Sequence, residues 1–438
     1  MNHTSYTTKG EETYATQHTT WLYPIGLVGV ARTWTVDDDG PADFHTIQEA
    51  VNAASPGDAI YVKAGIYYEN VVVNKTVSLI GENKSTTIID GDGEGCVLSI
   101  SLTQDVSLYN FTIQNGILGV DLRDSSYTRF RNVDLAGSEY NFRVGGTFIK
   151  HFIHDIGTSN TVNYKAIYYW MNKQDKEVPV DAGFVALINC SNIVVRNSNL
   201  ERNWDGILFV CVRNSLVENV DISNTAQGLF LMDSSNNVIQ GNIMTNNLVA
   251  IVLHSRSNNN NVSGNIIKNN EDGIYFGHSY NNSADRNLIT NNKHSGIFLE
   301  YSRNNTILEN IVKNNAIGVK IYRSNNNSIY HNNFVNNTQQ VYDWSWDFPY
   351  ILPSTNVWDD GYPSGGNYWS DYTGVDLYSG PCQNETGSDD IGDAPYVIDD
   401  YNQDNYPLTN PWTPAPPTVV ATADVVSNTL NLKSKGKW

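Results

Sequence analysis

An all-β chain wound as a right-handed parallel β-helix, with about 22 to 23 residues per coil, is the fold this sequence predicts. Three observations carry that prediction. First, the segments GLFLMDSSNNVIQGNIMTNN, AIVLHSRSNNNNVSGNIIKNN, GIYFGHSYNNSADRNLITNN, GIFLEYSRNNTILENIVKNN and GVKIYRSNNNSIYHNNFVNN are copies of one pattern. They begin at Gly228, Ala250, Gly273, Gly296 and Gly318, so the spacing is 22 or 23 residues. A period this short, with β-branched residues broken by Gly, Asn and Ser, suits one coil that pairs with the next and buries its inward side chains in a common core. Helical repeats need longer periods, and Asn and Gly are poor helix formers. Second, Asn242, Asn265, Asn287, Asn310 and Asn332 hold the same place in successive coils. Stacked amides there can bond to one another and to turn backbone at the strand spacing. Third, both ends carry candidate caps, which a solenoid needs because a bare terminal coil exposes unpaired backbone and core.

Along the chain, residues 1–33 form a polar tail rich in Thr and Tyr. Residues 34–136 hold the N-terminal cap and first coils: FHTIQEAVNAA reads as a short amphipathic helix with Phe44, Ile47 and Val51 on one face. In 137–184 the repeat lapses and an irregular insertion is expected. Regular coils fill 185–340, including the fainter copies that start at Val185 and Gly206. Residues 341–412 drop the repeat and become rich in aromatics, with Trp344, Trp346, Trp358, Tyr368 and Trp369, and are expected to cap the far end. After Trp412, the stretch 413–438 opens with TPAPP, a stiff linker, and continues as a β-type run, the start of a further β module or an assembly strand. About a dozen coils at roughly 4.8 Å each would make a rod on the order of 60 Å long.

Composition narrows the function classes. Of 438 residues, 17% are charged and 40% hydrophobic, so the chain is expected to fold; its net charge of -19 argues against nucleic acid or an anionic membrane as partner. No run of 18 apolar residues occurs, and Trp21–Ala31 is too short to span a bilayer and lacks a signal peptide's basic flank. Asn-x-Ser/Thr recurs at Asn2, Asn74, Asn83, Asn110, Asn189, Asn261, Asn281, Asn304, Asn326, Asn336 and Asn384, the pattern of a glycosylated extracellular protein.

Two outward columns are the candidate binding surface. Leu208, Phe230, Val252, Tyr275 and Phe298 take the second place after each coil start, where alternation points to solvent; Ile243, Ile266, Leu288 and Ile311 follow the ladder Asn. Two apolar stripes along a rod imply a cover: the chain's own tail, a glycan stacked on Tyr275 and Phe298, a cell-surface protein, or a second copy. Cys190 and Cys211 each follow a coil start by five residues and are expected to face one another, close enough for a disulfide. No cofactor is expected. Asp389, Asp390 and Asp393 offer hard oxygen ligands in one turn and are the candidate calcium site. The 4 Met, 9 His and 4 Cys are too dispersed for a copper cluster, and His254 and His278 read as a chance surface pair in adjacent coils. In the insertion, His151, His154, Asp155, Lys165, Tyr168, Trp170 and Asp181 include acid, base and stacking groups without a triad or metal spacing.

Residues 42–82, ADFHTIQEAVNAASPGDAIYVKAGIYYENVVVNKTVSLIGE, resemble the opening of pectin methylesterases. The coils together with NYWSDYTG, DDIGDAPYVID and HDIGTSNTVNYKAIYYW resemble archaeal cell-surface proteins of the NosD-like, pectate-lyase-type β-helix superfamily over roughly residues 34–412. The resemblance implies a β-helix and a carbohydrate-binding or copper-accessory role. It brings no active site: the Gln-Asp and Asp-Phe-Ile-Phe-Gly motifs of the esterases are absent, and Asp359–Asp360 lacks the His-Gly and Arg-x-Lys of polygalacturonases. The expectation is therefore a non-catalytic extracellular module for envelope architecture, adhesion, or carbohydrate or protein binding, able to polymerise head to tail through strand 418–438. The alternative is a carbohydrate-active lyase, epimerase or hydrolase with an unfamiliar site in 137–184.

Overall fold

The computed structural model describes residues 31–413. Asn2, the N-terminal tail to residue 30 and the assembly strand at 418–438 lie outside the described residues.

The chain is a parallel β-solenoid of about 14 turns. It begins with Thr33–Val36, which pairs in parallel with Ala59–Val62, and the helix Ile47–Ala53 closes that end. Thr46 caps the helix by accepting the Glu49 N–H, and Ile47, Ala50 and Val51 face the core. The first coils stack Ala59–Val62, Ser78–Gly81, Ser107–Gln114 and Arg129–Ala136 into one sheet, opposite a four-stranded sheet running from Val71–Val73 to Tyr140–Gly145. Val97, Leu108, Phe111, Phe130 and Phe142 fill the space between.

At Thr161–Val162 the chain reverses. Asn163 and Tyr164 both take left-handed backbone, φ 48° and 64°, and Lys165–Met171 returns antiparallel to the strand it left. From there the sheet grows by parallel pairing again, through Ala182–Ile188, Asp205–Val210 and Gln227–Met232 to Gln339–Asp343. The core, however, has changed sides. Val185, Leu187, Ile207 and Phe209 belong to the core of a second rod, whereas Phe184, Ala186, Ile188, Leu208 and Val210 on the opposite face of the same strands join the core of the first. One sheet thus serves two rods. Ala182–Ile188 and Asp205–Val210 are consequently buried at every residue, where an alternating strand would show water one face. Residues 137–184, expected as an irregular insertion, contain the last strand of the first rod, the reversal and the first strand of the second.

The second rod has three walls: the shared sheet and two eight-stranded sheets of short strands. The Asn doublets build its corners. In Asn246–Asn247, Asn269–Asn270, Asn291–Asn292 and Asn314–Asn315, the first Asn takes left-handed backbone, φ 55° to 59°. The second Asn points inward and joins a buried ladder in which each Nδ2 donates to the next Oδ1 at 2.9 to 3.1 Å. Asn tolerates left-handed backbone better than other non-glycine residues, so one residue type serves both positions. The column Asn242, Asn265, Asn287, Asn310 and Asn332 is linked in the same way, at 2.9 Å per step. A third ladder runs through Asn237, Asn260, Asn282, Asn305 and Asn327.

The far end is closed by aromatics and by carboxamide or carboxylate groups that end these ladders. Trp358 and Trp369 are buried, Phe334 stacks on Trp369 at 4.6 Å, and Tyr396 stacks on its other face at 4.3 Å. Asp404 accepts the Asn367 N–H at 2.7 Å and the Trp369 Nε1–H at 2.9 Å, and burial pushes its carboxyl up to about 7. Asn402 does the corresponding work for Asn356 and Trp358.

The cysteine pair departs from expectation. Val185 pairs with Ile207, not Gly206, so Cys190 is in register with Val212 while Cys211 is in register with Asn189. A slip of one residue sends a side chain to the other face. Cys190 is buried, with its Sγ against the Ile188 and Trp170 carbonyls, and Cys211 sits at a left-handed turn, φ 56°. Both are free thiols.

Candidate functional face of the shared sheet

The column Leu208, Phe230, Val252, Tyr275 and Phe298 divides in two. Leu208 is fully buried, because the first rod covers it. Val252 is only 3% exposed, flanked in register by Phe230 and Tyr275. The expectation that these two face solvent is therefore corrected: alternation chooses the face of a sheet, and another part of the chain can lie on that face. Beyond Val252 the first rod no longer covers the sheet, and Tyr275 and Phe298 are half-buried.

There the neighbouring columns contribute. Register places His254, Gly277, Glu300 and Tyr322 beside Val252, Tyr275, Phe298 and Lys320. Their rings form a continuous path along the rod. Phe230 stacks on His254 at 6.3 Å, His254 on Tyr275 at 6.4 Å, and Tyr275 meets Phe298 at 5.3 Å. The Lys320 ammonium lies 4.7 Å from the Phe298 ring centre and 4.1 Å from that of Trp344, bridging the two rings. A second line runs from His278 to Tyr301, stacked at 4.7 Å, then to Tyr322 at 5.4 Å and Trp344 at 5.1 Å. His254 and His278 join the lines, 6.0 Å apart edge to face. Gly277 makes the inner crossing feasible: a Cβ there would come within 2.8 Å of both the Tyr275 and the His254 rings.

Polar groups sit among the rings. The Tyr275 hydroxyl donates to Glu300, and burial together with that carboxylate pushes the phenol well above its ordinary value. Burial, with His278 beside it, holds the His254 imidazole below its usual value, so it is neutral at pH 7. Arg323 reaches the Tyr301 hydroxyl at 3.2 Å, and Arg256 pairs with Asp233 at 2.9 Å. The face therefore offers flat apolar rings, two imidazoles, a phenol–carboxylate pair and an ammonium within a few coils.

Other sequence candidates fall elsewhere. Ile243, Ile266 and Ile311 are 38%, 37% and 41% exposed on a different wall, with Leu288 half-buried between them. Asp389, Asp390 and Asp393 do not converge: Asp393 accepts the N–H groups of Leu377 and Tyr378, Asp389 that of Ile391, and Asp390 the Asn410 amide. Carboxylates used as turn acceptors are not gathered for calcium. Of the sequons, Asn74, Asn83, Asn189, Asn281, Asn304, Asn326, Asn336 and Asn384 are exposed, and Asn110 and Asn261 are half-buried. The acid and base groups of 137–184 go separate ways. Asp155 pairs with Arg129 and Arg131, His151 with Asp124, Tyr168 with Asp181, and Lys165 with the Asn199 carbonyl. His154 is buried, accepts the Thr128 N–H, and is driven down to about 4 by burial. Two shallow notches, of about 380 and 460 Å³, lie away from the aromatic face. The first exists because Gly241 and Gly264 leave a corner bare.

Comparison with known proteins divides the chain where the fold does. Residues 158–374 match the family model of NosD, periplasmic copper-binding protein, and residues 33–106 match that of pectinesterase. The first spans the reversal and nearly all of the second rod. Together with the fold, these matches describe a parallel β-helix protein. Pectinesterase 3 of Solanum lycopersicum is 44% identical over 63 residues, covering 13% of this chain and 12% of that protein. Probable pectinesterase/pectinesterase inhibitor 41 of Arabidopsis thaliana is 35% identical over 104 residues, covering 21% and 18%. The chain thus spans less than a fifth of the length of these curated relatives. Among solved structures, the mannuronan C-5 epimerase AlgE6 A-module of Azotobacter vinelandii aligns over 71% of this chain and 92% of its own, at 15% identity and TM-score 0.33. The Dettilon tailspike protein aligns over 68% and 64%, at 14% identity and TM-score 0.36.

The residues present do not fit copper. Among the described residues, the group of three or more His, Cys, Asp or Glu whose ligand atoms come close together is Asp37, Asp38 and Asp39. That is a hard-oxygen set, whereas copper selects imidazole, thiolate or thioether.

Proposed function

We propose that this chain is a glycan-binding β-helix acting outside the cell, and that the glycan lies along the open half of the shared sheet. One observation carries the reading: the unbroken path of rings from Phe230 through Tyr275 and Phe298 to Trp344, bridged by Lys320. A sugar ring has an apolar C–H face that packs on an aromatic ring and a rim of hydroxyls that takes hydrogen bonds, and this surface alternates the two kinds of partner along the rod axis. The second rod's core supports it from behind, and the first rod closes it off at Leu208. The exposed sequons are in keeping with an extracellular place.

The test is a glycan array on the intact chain, followed by calorimetric titration of the best ligand. Phe298→Asp removes a stacking face and sets a carboxylate beside Glu300. Affinity should fall at least tenfold, about 1.4 kcal/mol, with an unchanged circular dichroism spectrum. An unchanged affinity, or an array on which nothing binds, would overturn the reading.

A second reading, chemistry on the bound glycan, rests on the Tyr275–Glu300 pair beside a neutral His254. It places an acid–base set on the binding face, not in 137–184. Tyr275→Phe keeps the ring and removes the proton. Turnover lost with binding kept would establish this reading, and no turnover of a bound glycan by the native chain would end it.

A further inference from the structure

The last strand of the shared sheet, Gln339–Asp343, leads into an enlarged corner. In the coils before it, one corner serine bonds to the next across 23 or 22 residues, as from Ser279 to Ser302 and from Ser302 to Ser324. From Ser324 to Ser354 the step is 30 residues. The excess is a loop, 346–353, and Asp343 ties it at the base by accepting the Ser345 N–H at 2.9 Å and the Ser354 N–H at 2.6 Å.

This loop crosses the end of both lines of rings. Tyr342 follows Lys320 in the column of Tyr275 and Phe298, and its hydroxyl donates to Asp347 at 2.6 Å. Phe348 packs on Tyr322 at 5.6 Å and on Trp344 at 5.7 Å, the last two rings of the second line. Past these contacts the loop stands in water, with Tyr350 99% and Leu352 84% exposed. At the other end of the face, Phe230 packs on the core of the first rod, and Met232 belongs to that core. The aromatic face is thus walled at both ends.

We propose that this face recognises a glycan of finite length, an oligosaccharide or terminal branch of about five sugars, in preference to the interior of a long polysaccharide. The inference rests on the glycan reading above. From Phe230 to Tyr342 the column takes five coil steps, about 24 Å. A pyranose with its glycosidic oxygen advances a glycan by about the height of one coil, so each coil accommodates about one sugar. A terminal branch has to leave the trough once, where it joins the rest of the glycan. An interior segment has to leave it twice, past the first rod and past the loop, and each exit lifts sugars from the rings they would stack on.

Calorimetric titration of the intact chain tests this, using size-fractionated oligosaccharides of about two to ten sugars cut from the tightest-binding linear polysaccharide of the array. Affinity should rise with each sugar to about five and then stay within about twofold. The uncut polysaccharide should bind at most two protein molecules per chain, one at each end, whatever its length. Affinity that still climbs tenfold from five sugars to ten, or a stoichiometry that grows with chain length, would overturn the inference and leave the glycan reading standing. An array on which nothing binds overturns both. A pentasaccharide carrying an aryl azide at its reducing end gives an independent reading. On irradiation it should label residues 344–352 or the edge of the first rod beside Phe230; labels centred on Tyr275 and Phe298 would overturn the proposal.

Discussion

Asn287→Leu is expected to destabilise the second rod by on the order of 4 kcal/mol. Asn287 Oδ1 accepts both the N–H and the Nδ2–H of Asn265, and its own Nδ2 donates to Asn310 Oδ1 and to the Val262 carbonyl. Leucine keeps the branched shape and is the bulkier residue, so the change leaves no cavity, and the loss combines stranded polar groups with some crowding. It strands the Asn265 N–H in a fully buried corner and removes a donor from two carbonyl groups. Each such orphan costs about 1 to 3 kcal/mol, and coupling along the ladder adds to the sum. Urea denaturation followed by circular dichroism measures it. A loss below about 1 kcal/mol would mean that the ladder fills the corner without holding it.

Asp205→Asn is expected to act in the other direction, and only above acid pH. Asp205 is buried at the seam between the rods, where Asn141 N–H bonds to the Arg202 carbonyl, Trp204 N–H bonds to Phe142, and the Arg143 guanidinium covers Trp204 at 4.0 Å. Burial pushes its carboxyl up to about 8, against the pull of Arg143. In the unfolded chain the same group titrates near pH 4. Between those values the unfolded chain binds one proton fewer than the folded one, so Asp205 makes stability fall as pH rises, by about 1.4 kcal/mol per unit. The fall ends above pH 8. Asparagine keeps the shape and removes the titration, so the variant should match the native chain at pH 3.5 and exceed it by several kcal/mol at pH 8. Asp404 titrates in both proteins and cancels from the difference. Parallel stability curves across that range would show that Asp205 is not held protonated.

The second rod was legible because its coils repeat one local solution: a left-handed Asn followed by a buried Asn writes itself into the chain as a doublet. The sharing of a sheet was not. It depends on the reversal at Asn163–Tyr164, which leaves a short and unremarkable turn in the sequence, and on strands such as Ala182–Ile188 that are apolar on both faces. The misplaced cysteine pair has a related cause. The glycine that marks coil starts is replaced by Phe184, whose ring packs on Phe142 at 5.0 Å, so counting from Val185 slipped the register by one. Tyr275 and Phe298 could be placed by alternation. Lys320 holds the same second place after Gly318 but is charged and so did not read as part of an apolar stripe. His254 and Glu300 join through the neighbouring column, and His254 with His278 read as a chance pair until the rings around them were in place.

One column of the shared sheet has two fates, covered at Leu208 and open at Phe298. The most direct measurement is the urea midpoint of Leu208→Asp set beside that of Phe298→Asp. The substitution at 208 buries an unpaired carboxylate beneath the first rod and should cost at least about 3 kcal/mol. At 298 it faces solvent and should cost less than about 1 kcal/mol. Equal and small losses at both positions would mean that the rods do not share the sheet and that the aromatic face is not bounded by the first rod.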